Sequence, residues 1–307
     1  MKKLSLVFVM VLVAGMAMAQ NYAKISSTGN YQKAVIDQSI TDLNNNGTII
    51  QSADGSAASD PTIGSIYQVK NNNSASIDQV GFRQYGAIDQ ISNNTAIMTQ
   101  KGQWDGSYIY LWGDNNHATV YQDGGSNSAN IKTQSNYNGT IANPLSIIQV
   151  GNSNGALINT GMTTPSMGNH ASISQTANEN QSVINQEGGN YNQATINQYS
   201  NLNDANLNQT GSSLVANIDQ WGGVENKVNL NQKGGMVNID QNGTSNKVQG
   251  LQDAATAEGM LWAEFAGAKL DVMQVGTENA LNLKSTTSGA IVDVYQNGMQ
   301  NIGIVKN

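Results

Sequence analysis

The chain has 307 residues, of which 38% are apolar and only 11% charged, with 32 glycines, 3 prolines and no cysteine. So little charge argues against a disordered polyelectrolyte, scarce proline permits long runs of β-pairing, and the lack of cysteine excludes disulfide staples and thiolate metal sites. The formal charge of −7 disfavours nucleic acid as a partner.

In chain order, the first element is a secretory leader. Lys2 and Lys3 precede an apolar run from Leu4 to Ala14, and A-M-A at 17–19 is a small-x-small cleavage site. Residues 1–19 are therefore expected to be a signal peptide cut after Ala19. The apolar run is short for a membrane span and no later segment offers one, so no transmembrane segment is expected. Without Lys2 and Lys3 the chain carries 12 basic against 21 acidic residues, a formal −9. Residues 20–67 are expected to form an irregular N-terminal region with the first degenerate rungs, and 68–307 a regular array.

The array is a repeat of small-x-aliphatic-x-Gln. Clear copies end at Gln38, Gln79, Gln175, Gln186, Gln198, Gln209, Gln220, Gln232, Gln241, Gln274 and Gln296. Looser copies end at Gln51, Gln68, Gln90, Gln100, Gln122, Gln149 and Gln252. From Gln175 to Gln252 the spacings are 11, 12, 11, 11, 12, 9 and 11, and Gln274 follows after 22. The stretch G-M-L-W-A at 259–263 fills that double gap, so 254–266 is expected to be a degenerate rung rather than a helix. Trp112, Thr133, Thr160, Ser285 and Lys306 fall near the register where Gln is missing. An asparagine recurs inside the unit, five residues after a Gln, at Asn73, Asn180, Asn203, Asn246, Asn279 and Asn301.

Asn, small residue, aliphatic and Gln all share one parity. In a strand successive side chains alternate between faces, so these four line one face, whereas a helix would scatter them. About seven residues of strand and four of turn make each unit. Gly81, Gly151, Gly211, Gly243, Gly276 and Gly298 lie two residues after the Gln position, where the chain must turn. The expected fold is all-β: a β-solenoid of strand-turn-strand coils of about 22 residues, stacked as in cross-β assemblies, with inward Asn and Gln ladders. A lone inward Gln would leave its amide unpaired, at a cost of about 1–3 kcal/mol. A Gln above a Gln in every coil pairs with its neighbours, so the ladder fixes register. Pro61, Pro144 and Pro165 mark loops where the spacing stretches, around 39–67, 134–146 and 161–172.

The outward face holds the acids Asp37, Asp78, Asp89, Asp219 and Asp240, each just before a Gln. They are expected to be solvated gatekeepers against unscheduled β-aggregation rather than catalytic carboxylates. His117 and His170 have no ligand-spaced partner. No phosphate-binding glycine loop or calcium-binding repeat is present. Trp104, Trp112, Trp221 and Trp262, with Tyr110 and Tyr121, suit lateral packing or turn filling, and less readily a dye or glycan site. No catalytic residue, metal site or cofactor is expected.

The spacing in Q-T-A-N-E-N-Q-S-V-I-N-Q at 175–186 resembles the curlin repeat of bacterial curli fibre subunits, and the resemblance runs from about Gln68 to the end. It implies a secreted functional amyloid of the biofilm matrix at the bacterial cell surface. Its implied partners are further copies of the chain, a nucleator subunit and an outer-membrane secretion pore. The chain is longer than a typical curlin. A monomeric, capped β-solenoid adhesin or glycan-binding module is the alternative. The final N-I-G-I-V-K-N at 301–307 keeps the strand pattern without a cap, which favours the fibre.

Overall fold

The computed structural model describes residues 8–11, 21–38, 44–54, 61–134, 143–164, 166–232, 235–250, 261–263, 269–285 and 292–306. It divides into two compact units, Met1–Ser153 and Asn154–Asn307. Among the described residues there is no helix, and the chain forms parallel β-strands that alternate between two sheets.

In the first unit, one sheet (sheet A) holds Phe8–Val11, Gln32–Gln38, Thr62–Val69, Tyr85–Ile91, Gly106–Trp112 and Ser128–Gln134. The other (sheet B) holds Tyr22–Asn30, Asn46–Asp54, Ser74–Phe82, Thr95–Gln103, Asn116–Gly125 and Asn143–Asn152. Consecutive strands thus fall on opposite walls of a coil, and each pairs with the equivalent strand of the next coil. Register is strict: Ile77 faces Met98, which faces Val120, which faces Ile147. Sheet B already opens with Tyr22–Asn30, and Ile49 and Ile66 are buried like any later core residue. Pro144 does not mark a loop. It is the second residue of its strand, in register with His117, with its side chain outward and exposed.

In the second unit, sheet A holds Gly155–Thr160, Gln181–Glu187, Asp204–Thr210, Lys227–Gln232, Lys247–Gly250 with Leu261–Ala263, Ala280–Ser285 and Ile302–Lys306. Sheet B holds His170–Gln175, Gln193–Gln198, Val215–Trp221, Met236–Thr244, Lys269–Thr277 and Val292–Met299. Strands such as Gln181–Glu187 and Asp204–Thr210 alternate buried residues with half-buried or exposed ones over their whole length. The period of two in the sequence is therefore the period of the core. Each inward Ile, Leu or Val removes a side chain from water, worth about 1.5–3 kcal/mol.

One expectation is corrected. Lys227–Gln232 pairs first with Lys247 and Val248 and then with Leu261–Ala263. These two short strands are halves of a single rung, so 259–263 does not make a rung of its own beyond one at Gln252. Gln241 and Gln274 are direct neighbours, 33 residues apart, where Gln220 and Gln241 are 21 apart. The extra length is an insertion inside one coil, much of which lies outside the described residues. Its length is close to one repeat, which is why the spacing looks regular.

Two backbone features close each coil. The glycines expected at turns take positive φ, from 113° at Gly276 to 133° at Gly211. A side chain at Gly81 would collide with the carbonyl of Gly102 in the next coil. Glycine is needed there both for its φ and for the close approach of the chains. The residue just before each inward asparagine is left-handed too, and it is rarely glycine: Asn72, Asn93, Glu179, Leu202 and Glu225 all have φ between 50° and 61°.

Candidate functional site: the stacked amide columns

Every expected ladder glutamine within the described residues faces inward. Gln79, Gln175, Gln186, Gln198, Gln209, Gln220, Gln232, Gln241 and Gln274 are shielded from solvent almost completely, and Gln296 is 7% exposed. Gln252 lies outside the described residues, and the residue in register with Gln232 is Ala263.

In the second unit the sheet B column runs without a break from Gln175 through Gln198, Gln220, Gln241 and Gln274 to Gln296. In each step the Nε2 of one Gln donates to the Oε1 of the next, over 2.7–2.9 Å. The second Nε2 hydrogen serves the opposite wall: Gln198 donates to the carbonyl of Gln181 at 3.0 Å. The amide is thus satisfied both along and across the coil, as burial requires. The sheet A column is shorter, Gln186 to Gln209 to Gln232, each step 2.9 Å. In the first unit sheet B carries Gln51, Gln79, Gln100, Gln122 and Gln149. Sheet A there carries Gln38, Gln68 and Gln90, then Leu111 and Thr133 in the same register. Trp112 is one residue past that register and points outward.

The asparagines form a second set of columns. Asn73, Asn180, Asn203, Asn246 and Asn279 are buried, and Asn301 is half-buried. Each Oδ1 accepts the backbone N–H of the asparagine one coil later: Asn180 to Asn154 at 3.0 Å, Asn203 to Asn180 at 2.9 Å, Asn279 to Asn246 at 3.2 Å. Here the backbone N–H donors point back toward earlier coils, whereas the glutamine Nε2 donors point toward later ones. Asn45, Asn94, Asn192 and Asn226 play the same part, each Oδ1 accepting a backbone N–H one coil later, and escape a search by distance from the preceding Gln. The turn before them varies in length. Their constant is the distance forward, six residues before the Gln register: Asn94 before Gln100, Asn192 before Gln198.

Two of the inward positions stand out. Asp105 occupies an asparagine place and is 1% exposed. Its Oδ1 accepts the N–H and Nδ2 of Asn127, at 3.1 and 3.2 Å, while its Oδ2 is buried with no partner. Burial, with a smaller contribution from Asp123, pushes its carboxyl up to about 6 against the pull of the Asn127 bonds and a weaker one from Gln84. At the foot of the second unit's sheet A column, Thr160 precedes Gln186 and the buried Oε1 of Gln186 accepts no hydrogen bond.

The outward faces hold the expected acids. Asp37 is exposed, and Asp78, Asp89, Asp219 and Asp240 are half-buried on the sheet surfaces. Asp219 and Asp240 are in register, so two carboxylates stack, each held by a neighbour: Asn197 Nδ2 at 2.7 Å and Trp221 Nε1 at 2.6 Å. Burial against the tyrosine-rich face raises the carboxyl of Asp89 above its ordinary value. An outward amide column that parity alone treats as solvated runs Asn159, Asn185, Asn208 and Asn231, with steps of 2.8, 2.6 and 2.7 Å.

The aromatic residues are scattered over the surface. Tyr110 packs between Tyr108 and Trp112, with ring centres 6.1 and 4.9 Å apart, and Arg83 lies 4.1 Å over Trp104. Lys101 sits over Tyr121, Trp221 is exposed, and the side chain of Trp262 is outside the described residues. His117 and His170 are exposed at the starts of their strands. Among the described residues no group of three or more His, Cys, Asp or Glu is placed to hold a metal ion, and no helix is long and apolar enough to cross a membrane.

The chemistry of this arrangement is repetition. Most of its buried amides are matched to copies of themselves one coil away, and among the described residues the two walls show no converging catalytic set. Residues 71–102 match the family model of the curlin-associated repeat. That segment spans one and a half coils, with Asn73, Gln79, Asn94 and Gln100 in their columns. No curated protein and no solved structure matches the chain. A curlin-associated repeat on a parallel β-solenoid is the build of a structural protein.

Proposed function

We propose that the chain, after loss of its leader, is a subunit of an extracellular curli-like amyloid fibre that serves the biofilm matrix and surface adhesion. The observation that carries this reading is the translational repeat of the amide columns. Along the unbroken column each coil presents to the next the same inward amide that it receives from the one before, so a further copy of the chain can continue it. Val292–Met299 and Ile302–Lys306, the last strands of their sheets, each have one neighbour among the described residues, and Met299 and Ile302 are about three-quarters exposed. Open parallel edges of this kind template further strands. The curlin-associated repeat supports secretion, with a nucleator subunit and an outer-membrane pore as partners.

Purified protein beginning at Gln20 is expected to form unbranched fibres at micromolar concentration. Fibre diffraction should show spacings near 4.7–4.8 Å and about 10 Å. A monodisperse monomer that persists for days would overturn the fibre reading and favour a capped adhesin.

A further inference from the structure

We infer that Asp105 is an acid-responsive rung: as a carboxylate it leaves one asparagine column of the first unit mismatched, and on taking up a proton it completes that column and stabilises the coils around it.

The argument starts from what an asparagine does at this position. One coil later, Asn127 uses Nδ2 both to reach back to Asp105 Oδ1 and to donate to the carbonyl of Gly151, the latter at 2.8 Å. One coil earlier, Gln84 Nε2 donates to the carbonyl of Gly102 at 3.3 Å. Gly102, Gly124 and Gly151 are in register, so the carbonyl that corresponds for Asp105 is that of Gly124. An ionised carboxylate has no hydrogen to give it. The buried Oδ2 is the atom left over, and it has no partner. A protonated carboxyl regains a donor, as a side-chain amide would supply. Oδ1 meanwhile keeps its two bonds from Asn127.

The surroundings make the charged form costly. Gln84 and Asn127, the side chains above and below in the column, are neutral, and their hydrogen bonds to the carboxyl pull its titration down by less than burial pushes it up. The charge that bears on Asp105 is Asp123, on the Asn116–Gly125 strand, and it has the same sign. Of the nearby cations, Arg83 is engaged over Trp104 and Lys101 over Tyr121. The sign follows. The folded carboxyl titrates near 6 and the unfolded one near its ordinary 3.8, so the folded chain holds the proton more tightly. Stability is full below the unfolded value and is lost as pH rises through the folded one. Acidification through this window favours the folded first unit, by up to about a hundredfold in the folding equilibrium. This concerns folding of the coil and holds whether or not the chain assembles into fibres.

The test is the urea midpoint of the leader-free full chain, followed by circular dichroism, from pH 4 to pH 7.5. The wild type is expected to be more stable at pH 5 than at pH 7. Asp105→Asn places the usual column residue at this position. It should fold, flatten the profile across the window, and match or exceed the wild type at neutral pH. Asp123→Asn should keep the dependence but move it to lower pH, and the outward variant Asp219→Asn should keep the wild-type profile. A wild-type slope retained in Asp105→Asn, or equal flattening in Asp219→Asn, overturns the assignment. Because burial causes the effect, the midpoint of the wild-type profile should shift little with salt. A profile abolished by salt would place its origin in surface charge instead.

Discussion

The sheet B column of the second unit and the sheet A column of the first are built from the same repeat, yet only one is continuous. In the former, six glutamines from Gln175 to Gln296 bond in line. In the latter, Gln38, Gln68 and Gln90 give way to Leu111 and Thr133. Both columns follow the strand register, and apart from Gln38 at one end both are buried. An inward amide is therefore not what makes a residue a core residue. It adds a second demand, that its neighbours along the axis be amides too. A leucine ends that demand, and a glutamine passes it on. The continuous column is the one in which a single change disturbs the coils on both sides.

The largest expected effect comes from breaking the continuous case. Replacing Gln198, Gln209 and Gln220 together by Ala removes stacked amides, strands the neighbouring Gln241 Oε1 and Gln186 Nε2, and leaves voids. Each stranded group costs about 1–3 kcal/mol and each void adds to that. Folding or fibre growth should fall by orders of magnitude, as measured by dye kinetics and urea midpoints. The outward set Asn197, Asn208 and Asp219 to Ala should cost less but not nothing, because Asn208 bonds to Asn185 and Asn231. Equal losses from the two sets would show that the inner columns carry no special weight.

A smaller effect, of opposite sign, should come from lengthening an interrupted column. Thr160 occupies the glutamine register below Gln186, whose Oε1 is buried and unpaired. Thr160→Gln should supply the missing donor and raise stability by about 0.5–1.5 kcal/mol, read as a higher urea midpoint. A lower midpoint would mean that the coil cannot accommodate the larger side chain there.

The smallest effect concerns the outer acids, and it is kinetic. Changing Asp37, Asp78, Asp89, Asp219 and Asp240 to Asn removes surface repulsion, most directly between the stacked Asp219 and Asp240. The lag before fibre growth should shorten, and the variant should respond less to added salt than the wild type, whose repulsion salt screens over roughly 10 Å at 0.1 M. An unchanged lag would show these acids to be bystanders.

Much of this was legible in the residues. A period of two, with Gln and Ile on one parity, leaves little choice but a strand with a polar column inside it, and the turn glycines follow at a fixed offset. What stayed hidden has physical causes. The rung shared by Lys247–Gly250 and Leu261–Ala263 was masked because its insertion is close to a repeat in length. The asparagines at 94, 192 and 226 were missed because turns vary while the strand that follows does not. Asp105 looks like an ordinary loop acid until the pairing of Asn127 with it places it inside. The outer column through Asn185 and Asn208 was missed because parity says which way a side chain points, not what it meets on its own face.

The opposed sense of the two kinds of column has an electrical consequence. A side-chain amide carries a dipole comparable to that of a peptide unit, about 3.5 D. Aligned head to tail, such units sum in a helix to a macrodipole with partial charge at each end. Here the glutamine carbonyls face the earlier coil and the asparagine carbonyls the later one. Where both columns are present, each added coil contributes dipoles of both senses that largely cancel. A stack of such coils can lengthen without limit and without building a voltage between its ends.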